Sequence, residues 1–311
     1  MISGSITIGV DIGGGHILSA AVDTQKKVIL RETSVYSEVD RNGNLEDIMK
    51  AWSTCLNSTI SQVGRESIAG IAFAMPGPFN YKTGIAYFEG NDKYGALYGI
   101  EILKELSRHL EVPNLPMRFL NDATAFTVGE AWFGKAAGYE KAVALTLGTG
   151  LGSAFVDHGK PVVLREDVPE HGCLWHLPYK DGIADDYFST RWFVNTYKER
   201  TGIGVEGVKE VFEKASEDES AMMLFEEFGT NMAMFLKPWL NKFNPGVIVL
   251  GGNVSKAFEA FSPALLGALH KEGITTKFVC SELMEDAALI GSARLFEKSF
   301  WDQVKNDLPE K

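Results

Sequence analysis

Residues 6–15 of the chain read ITIGVDIGGG, an apolar run that ends on an acid and three glycines. A second run of this kind, residues 142–152, reads AVALTLGTGLG. Glycine lets the backbone turn tightly and bring its N–H groups close to an anion, so both stretches predict strands that end in phosphate-binding turns. A β-like segment follows each turn, at residues 17–22 and 153–156. Both turns are therefore predicted to close hairpins, unlike the helix-initiating glycines of a dinucleotide fold.

Between the two turns, a third apolar segment, residues 116–120, ends on Asn121 and Asp122. An acid at a strand end can hold magnesium or accept a proton, although it is often only a turn or capping residue. We expect Asp11 to help place magnesium through water, because that ion keeps much of its hydration shell. Asp122 is the candidate general base for a substrate hydroxyl. Two phosphate turns with a carboxylate between them indicate phosphoryl transfer.

The composition is that of an ordinary globular protein, with 45% hydrophobic and 23% charged residues in 311. The formal net charge of -11 opposes general nucleic-acid binding. No apolar run is long enough to span a bilayer and no signal-peptide pattern is present, so we expect a cytoplasmic protein without membrane partners. Cys55, Cys173 and Cys280 form no CxxC pair, which favours reduced thiols over a disulfide framework.

The predicted elements run in the same order twice, with strands first and helices after them. A set of three strands is predicted within residues 5–35 and a second set at 143–147, 153–156 and 161–164, with single strands at 67–74, 116–120, 247–250 and 275–280. Helices are predicted at 44–63, 100–110, 185–198, 221–242, from about 254, and at 286–296. This order predicts an α/β protein of two similar lobes with a ligand cleft between them. We expect lobes at 1–120 and 121–285, with a closing helix at about 286–311 that packs back on the first lobe.

Three further patterns have competing interpretations. Gly251 and Gly252 stand between a strand and a helix, a form that admits a flat base or a phosphate but also makes an ordinary tight loop. The GxxxxGK pattern at residues 129–135 lacks the Ser or Thr of a P-loop and follows a helical segment, so we interpret it as coincidence. The clustered His171, Cys173 and His176 lack a fourth ligand and make a poor structural zinc site.

In combination, the motifs resemble the ROK family of sugar kinases, related repressors and unassigned reading frames, over nearly the whole chain. The resemblance implies the actin-like ATPase (ribonuclease H-like) fold and transfer of the ATP γ-phosphate to a sugar hydroxyl. It is carried by IGVDIGG (8–14), PGP (76–78), FLNDATA (119–125), LTLGTGLGS (145–153) and VIVLGGNV (247–254).

The resemblance also implies roles for individual residues, with Asp122 as the catalytic base. ATP and its phosphates would be bound by Asp11, Gly13, Gly14, Gly15, Gly148, Thr149, Gly150, Gly251 and Gly252. The sugar would be bound by Gly77, Asn91, Asn121, His176, Asp185 and Glu170. The implied cofactors are ATP and Mg²⁺, and a homodimer is implied as well.

The chain departs from the family pattern in its phosphate turn and its sugar site. Gly15 stands where the family usually has Thr, so one hydroxyl contact to phosphate is lost. If His176 is the histidine of the family's Glu-x-Gly-His, Cys173 replaces its glutamate, and Glu170 is the candidate substitute for that acid. The family's cysteine-rich zinc loop is absent, which predicts a zinc-free, reshaped sugar pocket.

We therefore predict an ATP- and magnesium-dependent, glucokinase-like enzyme that phosphorylates a hexose or hexose derivative. One rival is a catalytically weak, sugar-binding pseudokinase, which the substitutions at Gly15 and Cys173 suggest. Another is a sugar-responsive regulator, but family repressors carry an N-terminal helix-turn-helix domain, whereas the first strand here is predicted to begin at residue 5.

Overall fold

The computed structural model describes residues 5–88 and 94–310. Its strands are β1 (Ile6–Ile12), β2 (His16–Asp23), β3 (Val28–Glu38), β4 (Ile68–Met75), β5 (Phe79–Asn80), β6 (Ile85–Ala86), β7 (Met117–Asn121), β8 (Lys141–Leu147), β9 (Leu151–Asp157), β10 (Lys160–Pro161), β11 (Pro178–Tyr179), β12 (Gly182–Ile183), β13 (Val247–Gly251) and β14 (Lys277–Cys280). Its α-helices are α1 (Leu45–Ser61), α2 (Ile102–Leu106), α3 (Asp122–Phe133), α4 (Ala184–Tyr187), α5 (Thr190–Thr201), α6 (Val208–Lys214), α7 (Glu219–Phe243), α8 (Phe258–Lys271), α9 (Asp286–Ala293) and α10 (Lys298–Val304). Over the described ranges, no helix has both the length and the apolar character that a membrane crossing requires.

The chain forms two compact units, Met1–Gly134 with Glu285–Lys311, and Lys135–Met284. Each unit contains a five-stranded mixed sheet, in the order β3-β2-β1-β4-β7 and β10-β9-β8-β13-β14 respectively. In both sheets the first long hairpin is antiparallel and the later strands are added in parallel. The predicted fold class, α/β with two similar units, is confirmed.

The division between the units differs from the one expected at residue 120, because α3 belongs to the N-terminal unit and packs closely against α9. A Cβ on Gly129 of α3 would lie 2.0 Å from the carbonyl oxygen of Ala287, and one on Gly291 of α9 would lie 1.8 Å from that of Ala125. Only glycine permits this approach of the two helices. The first glycine of the GxxxxGK pattern is therefore a helix-packing residue.

In the C-terminal unit, an aromatic core anchors the chain between α4 and α5. Phe188 and Trp192 are buried, and both rings contact Phe228 of α7, with centroids 5.8 Å away in each case. Phe228 also contacts Phe193 and Phe261. This packing fixes the short segment between Phe188 and Trp192, which includes residues of the candidate site described below.

Several elements differ from their predicted extents. The helix predicted at 185–198 is two helices, α4 and α5, because Phe188 leaves the helical conformation with φ -115° and ψ 43°. The strand predicted to begin at Pro161 is only the two-residue β10, since proline has no N–H to extend a ladder. The helix expected from Val254 starts as a 3₁₀ turn, Asn253–Ala257, before α8.

Candidate active site

Asp11 and Asp122 lie at the same edge of the N-terminal sheet. Asp11 is paired with Ala74 of β4, and Ala74 is paired with Leu120 of β7, so the three strands end together. Burial raises the pKa of Asp11 to about 7, and the negative charges of Asp122 and Glu285 add to that shift. The charges of the second candidate acid, Asp122, and of a third carboxylate, Glu285, therefore act on Asp11.

Asn121 and Asp122 form the start of α3, and a hydrogen-bond network orients both side chains. The Asn121 side-chain oxygen caps the helix by accepting from the Thr124 N–H at 3.1 Å. Its amide nitrogen donates to Oδ1 of Asp122 at 2.9 Å and to the Tyr81 hydroxyl at 3.3 Å. Oδ1 of Asp122 also accepts from the Ala123 N–H at 2.8 Å. The carboxylate of Asp122 is thus held in one orientation through Oδ1.

Hydrogen bonds from two other segments of the chain hold the first glycine turn, Gly13 to Gly15. The Tyr94 hydroxyl donates to the carbonyl oxygen of Gly13 at 2.9 Å, and the Val39 N–H donates to that of Gly15 at 2.9 Å. Tyr94 is fully buried, and burial raises its pKa to about 12, so its hydroxyl stays protonated and able to donate. The turn is therefore held through two carbonyl groups and through the Gly13 N–H, which donates to the carbonyl oxygen of His16 at 3.0 Å.

This unit also contains Gly77 and Asn91, which were predicted to bind the sugar. Gly77 is exposed in the loop between β4 and β5. Asn91 lies outside the described residues, three positions before Tyr94.

The second glycine turn is held by the segment that follows β12. Across the turn itself, the Gly148 N–H donates to the carbonyl oxygen of Gly150 at 3.0 Å, and Thr149 between them is exposed. The Thr190 N–H donates to the carbonyl oxygen of Gly148 at 2.8 Å. The Asp185 carboxylate accepts from the Leu151 N–H at 2.6 Å and from the Arg191 guanidinium at 2.5 Å. Asp185, expected to bind sugar, thus contacts the candidate phosphate turn directly.

Gly251 and Gly252 lie beside the strand that leads into this turn. β13 runs parallel to β8, with Gly251 opposite Thr146. Gly252 has a φ of 79°, and a Cβ there would lie 2.4 Å from the carbonyl oxygen of Leu147. A side chain at this position is excluded by both the backbone angle and the close approach. The glycines predicted to face adenosine and those predicted to hold phosphate therefore meet at one end of this sheet.

Residues 170–176 form the remaining candidate sugar segment. Ser153 of β9 secures it by donating to the carbonyl oxygen of Gly172 and accepting from the Leu174 N–H, both at 2.8 Å. The Glu170 side chain is 77% exposed and lies 3.8 Å from His171. The ring of His176 packs edge-on against Trp175, with centroids 5.3 Å apart.

Magnesium suits the edge that carries Asp11. The negative charges of Asp122 and Glu285 oppose the ionisation of Asp11 there, and a divalent cation would relieve that repulsion. Oxygen ligands of this kind are those that magnesium prefers.

Zinc has less support at the histidine cluster. Over the described ranges, the one group of three His, Cys, Asp or Glu side chains with ligand atoms within 4.8 Å of one another is Glu140, Asp157 and His158. It includes no residue of the 171–176 cluster, and its Asp157 carboxylate is already paired with Arg165 at 2.8 Å. We assign no metal to it.

Sequence reasoning missed four residues that act on candidate site residues of their own unit: Tyr81, Tyr94 and Glu285 in the N-terminal unit and Arg191 in the C-terminal unit. None of them belongs to a glycine or Asn-Asp motif. Their contacts join positions far apart or on different elements, and no spacing rule in the chain indicates such pairs. The only sequence signal for Glu285 is its position directly before the predicted closing helix.

Comparison with known proteins identifies the family of this chain. The chain belongs to the ROK family, whose family model matches residues 7–299. A glucokinase of Thermotoga maritima is 26% identical, covering 94% of this chain and 97% of that protein. An N-acetyl-D-glucosamine kinase of Pectobacterium atrosepticum is 26% identical, covering 81% and 85%. A ROK glucokinase of Streptomyces griseus, solved with glucose and AMPPNP, shares the fold with a TM-score of 0.71 at 23% identity, covering 93% of this chain and 98% of that chain. The resemblance found in the sequence motifs is confirmed.

Proposed function

We propose that this protein is a cytoplasmic, ATP-dependent kinase that phosphorylates a hydroxyl of a hexose or hexose derivative. The similar proteins named above act on, or were solved with, glucose or N-acetyl-D-glucosamine. The observation that carries the proposal is the oriented carboxylate of Asp122, which lies at the sheet edge shared with Asp11 and the first glycine turn.

Asp122 is the proposed general base. Its carboxylate takes the proton of the sugar hydroxyl as the hydroxyl oxygen forms a bond to the γ-phosphorus, while the bond from that phosphorus to the bridging oxygen breaks and releases ADP. Bases of this kind contribute about 10²–10⁴ in rate. The hydrogen bonds from Asn121 and the Ala123 N–H support this role because they fix the direction of the carboxylate.

The two glycine turns are the proposed phosphate sites. In the turns Gly13 to Gly15 and Gly148 to Gly150, backbone N–H groups other than those of Gly13 and Gly148, which donate to carbonyl oxygens of the chain, would donate to phosphate oxygens. Gly251 with Gly252 would face adenosine. Magnesium, placed by Asp11 through water, would neutralise charge on the phosphates.

The proposed sugar contacts are Gly77, Asn91, Asn121 and His176, with Asp185 and Glu170 as acidic candidates. The structure distinguishes the two acids. The Asp185 side chain is 19% exposed and already accepts two hydrogen bonds, whereas that of Glu170 is 77% exposed. We therefore expect substitution of Glu170 to affect sugar affinity less than substitution of Asn121 or His176.

A sugar-dependent ADP-release screen tests the proposal. Hexoses, amino sugars and N-acetyl sugars are supplied with ATP and magnesium, and the preferred sugar is then used with Asp122→Asn. We expect turnover to fall by about 10²–10⁴. Asp186→Asn is the matched control, because it makes the same change at a different acid. The Asp186 carboxylate accepts a hydrogen bond from the Ile183 N–H. Turnover of Asp122→Asn within a few-fold of wild type would reject the assigned base.

The second candidate is a sugar-binding protein without kinase activity, either a pseudokinase or a regulator. Gly15, which lacks the family's hydroxyl, and Cys173, which lacks its carboxylate, favour it. Titration calorimetry would detect sugar binding in both cases, but only the kinase releases ADP in response to sugar. A homodimer is also proposed from the family resemblance, and light scattering after size exclusion would measure it as twice the chain mass.

A further inference from the structure

Asp185 connects two parts of the C-terminal unit that the proposed function assigns to different substrates. Its side chain reaches the second glycine turn, where Oδ1 accepts from the Leu151 N–H at 2.6 Å. Its own backbone N–H donates to the carbonyl oxygen of Trp175 at 3.0 Å, next to the candidate sugar residue His176. One residue thus hydrogen-bonds to both segments.

The contact with the glycine turn is closely fitted. A Cβ on Gly150 would lie 2.6 Å from Oδ1 of Asp185, so glycine at this position makes room for the carboxylate. Arg191 donates to Oδ2 at 2.5 Å and holds the carboxylate from its other side. The Thr190 N–H fastens the opposite end of the turn through the carbonyl oxygen of Gly148, at 2.8 Å. Residues 185–191 therefore hydrogen-bond to both ends of the turn.

The contact with the sugar segment is equally direct. The Ala184 N–H donates to the carbonyl oxygen of Leu177 at 2.9 Å, and the Asp185 N–H donates to that of Trp175. These two hydrogen bonds lie on either side of His176. A displacement of His176 by a bound sugar would therefore act on the backbone that carries the Asp185 carboxylate.

We propose that Asp185 is a positioning residue, which fixes the second glycine turn for the nucleotide phosphates and couples that turn to the segment carrying His176. The inference rests on the proposed kinase function and gives Asp185 a role beyond a sugar contact. A carboxylate acceptor for the Leu151 N–H sets where the turn's remaining N–H groups point. By linkage, sugar that strengthens nucleotide binding through Asp185 is itself bound more tightly in the presence of nucleotide.

Calorimetric titration with AMPPNP and magnesium, with and without the sugar preferred in the ADP-release screen, tests the inference. We expect Asp185→Ala to weaken AMPPNP binding roughly 10- to 100-fold even without sugar, the range for loss of a hydrogen bond to a charged group. The ratio of AMPPNP dissociation constants without and with sugar should fall towards one. Asp185→Asn and Arg191→Ala should give intermediate losses, since each keeps an oxygen acceptor for Leu151. Asp186→Asn is the matched control and should behave as wild type.

Two outcomes separate this inference from the proposed function. If Asp185→Ala binds AMPPNP without sugar as tightly as wild type and loses only sugar affinity, the positioning role is overturned while the kinase assignment stands. If wild type binds no AMPPNP, the proposed function fails and the inference fails with it. Should Asp185→Ala not fold, Asp185→Asn and Arg191→Ala decide the matter, and wild-type affinity in both variants overturns the inference.

Discussion

The hydroxyl of Tyr94 donates a 2.9 Å hydrogen bond to the carbonyl oxygen of Gly13, so a fully buried aromatic residue secures the first glycine turn. The ring of Tyr94 in turn packs edge-on against Trp52, with centroids 5.5 Å apart. The position of the turn therefore depends on the core behind it as well as on its own glycines.

Replacing Tyr94 with Phe should weaken AMPPNP binding about 2- to 10-fold, because the variant keeps the ring but loses a hydrogen bond worth about 0.5–1.5 kcal/mol. Calorimetric titration measures the affinity. Tyr98→Phe is the control, since it deletes the same hydroxyl from a side chain that is 53% exposed. Equal affinities for the two variants would show that the Tyr94 hydroxyl does not position the turn.

The Asp11 carboxyl should make the free protein less stable as the pH rises from about 4 to 7. Its pKa is raised from 3.8 to about 7, so in this interval the folded state binds more protons than the unfolded state and the free energy of unfolding falls. At about 1.4 kcal/mol per pKa unit, the loss is up to about 4 kcal/mol.

Asp11→Asn tests this assignment, because the amide cannot ionise. We expect the variant to unfold at a higher temperature than wild type at pH 8 and at the same temperature at pH 4, in EDTA and without nucleotide. Glu199→Gln, at an exposed position, should leave the pH profile unchanged. An identical pH dependence in Asp11→Asn and wild type would show that another group is responsible.

Tyr81→Phe should lower kcat by a smaller factor than Asp122→Asn. The Tyr81 hydroxyl contacts the Asn121 amide, which in turn orients Asp122, so its loss loosens the base without removing it. The same hydroxyl also donates to the carbonyl oxygen of Met75 at 3.0 Å. For the lost hydrogen bond to Asn121 we expect a reduction of roughly 2- to 10-fold, with KM for ATP nearly constant. Steady-state kinetics measure both constants. An equal rise in KM for ATP would point to a general disturbance of the unit.

Gly129→Ala and Gly267→Ala should change stability in opposite directions. The new Cβ at Gly129 would lie 2.0 Å from the Ala287 carbonyl oxygen, so α3 and α9 must separate at a cost of about 1–3 kcal/mol or more. Gly267, within α8, has nothing within 4 Å of such a Cβ, and alanine should stabilise the helix there by about 0.4–1 kcal/mol. Thermal unfolding measures both. Similar shifts in the two variants would contradict the close helix contact.

The features that sequence reasoning predicted share a local cause. Glycine turns after apolar strands, and the Asn-Asp pair at a strand end, depend on a few neighbouring residues, so the hairpins and the start of α3 could be anticipated. The contact of Tyr94 with Gly13 joins residues 81 positions apart, and the charge of Glu285 acts on Asp11 although the two residues lie far apart in sequence. The family resemblance assigned Asp185 to the sugar, but its hydrogen bond to the Leu151 N–H joins residues 34 positions apart. Long-range pairings of this kind leave no periodic signal in the chain.

The packing of α9 against α3 has a consequence for biosynthesis. The C-terminal unit is one continuous stretch, Lys135–Met284, and all of it is translated before Glu285–Lys311. The glycine face of α3 in the N-terminal unit packs against α9, so this packing cannot form until residues 285–311 emerge. Compact units usually fold as wholes, so the N-terminal unit is expected to complete its fold only after residues 285–311 have emerged.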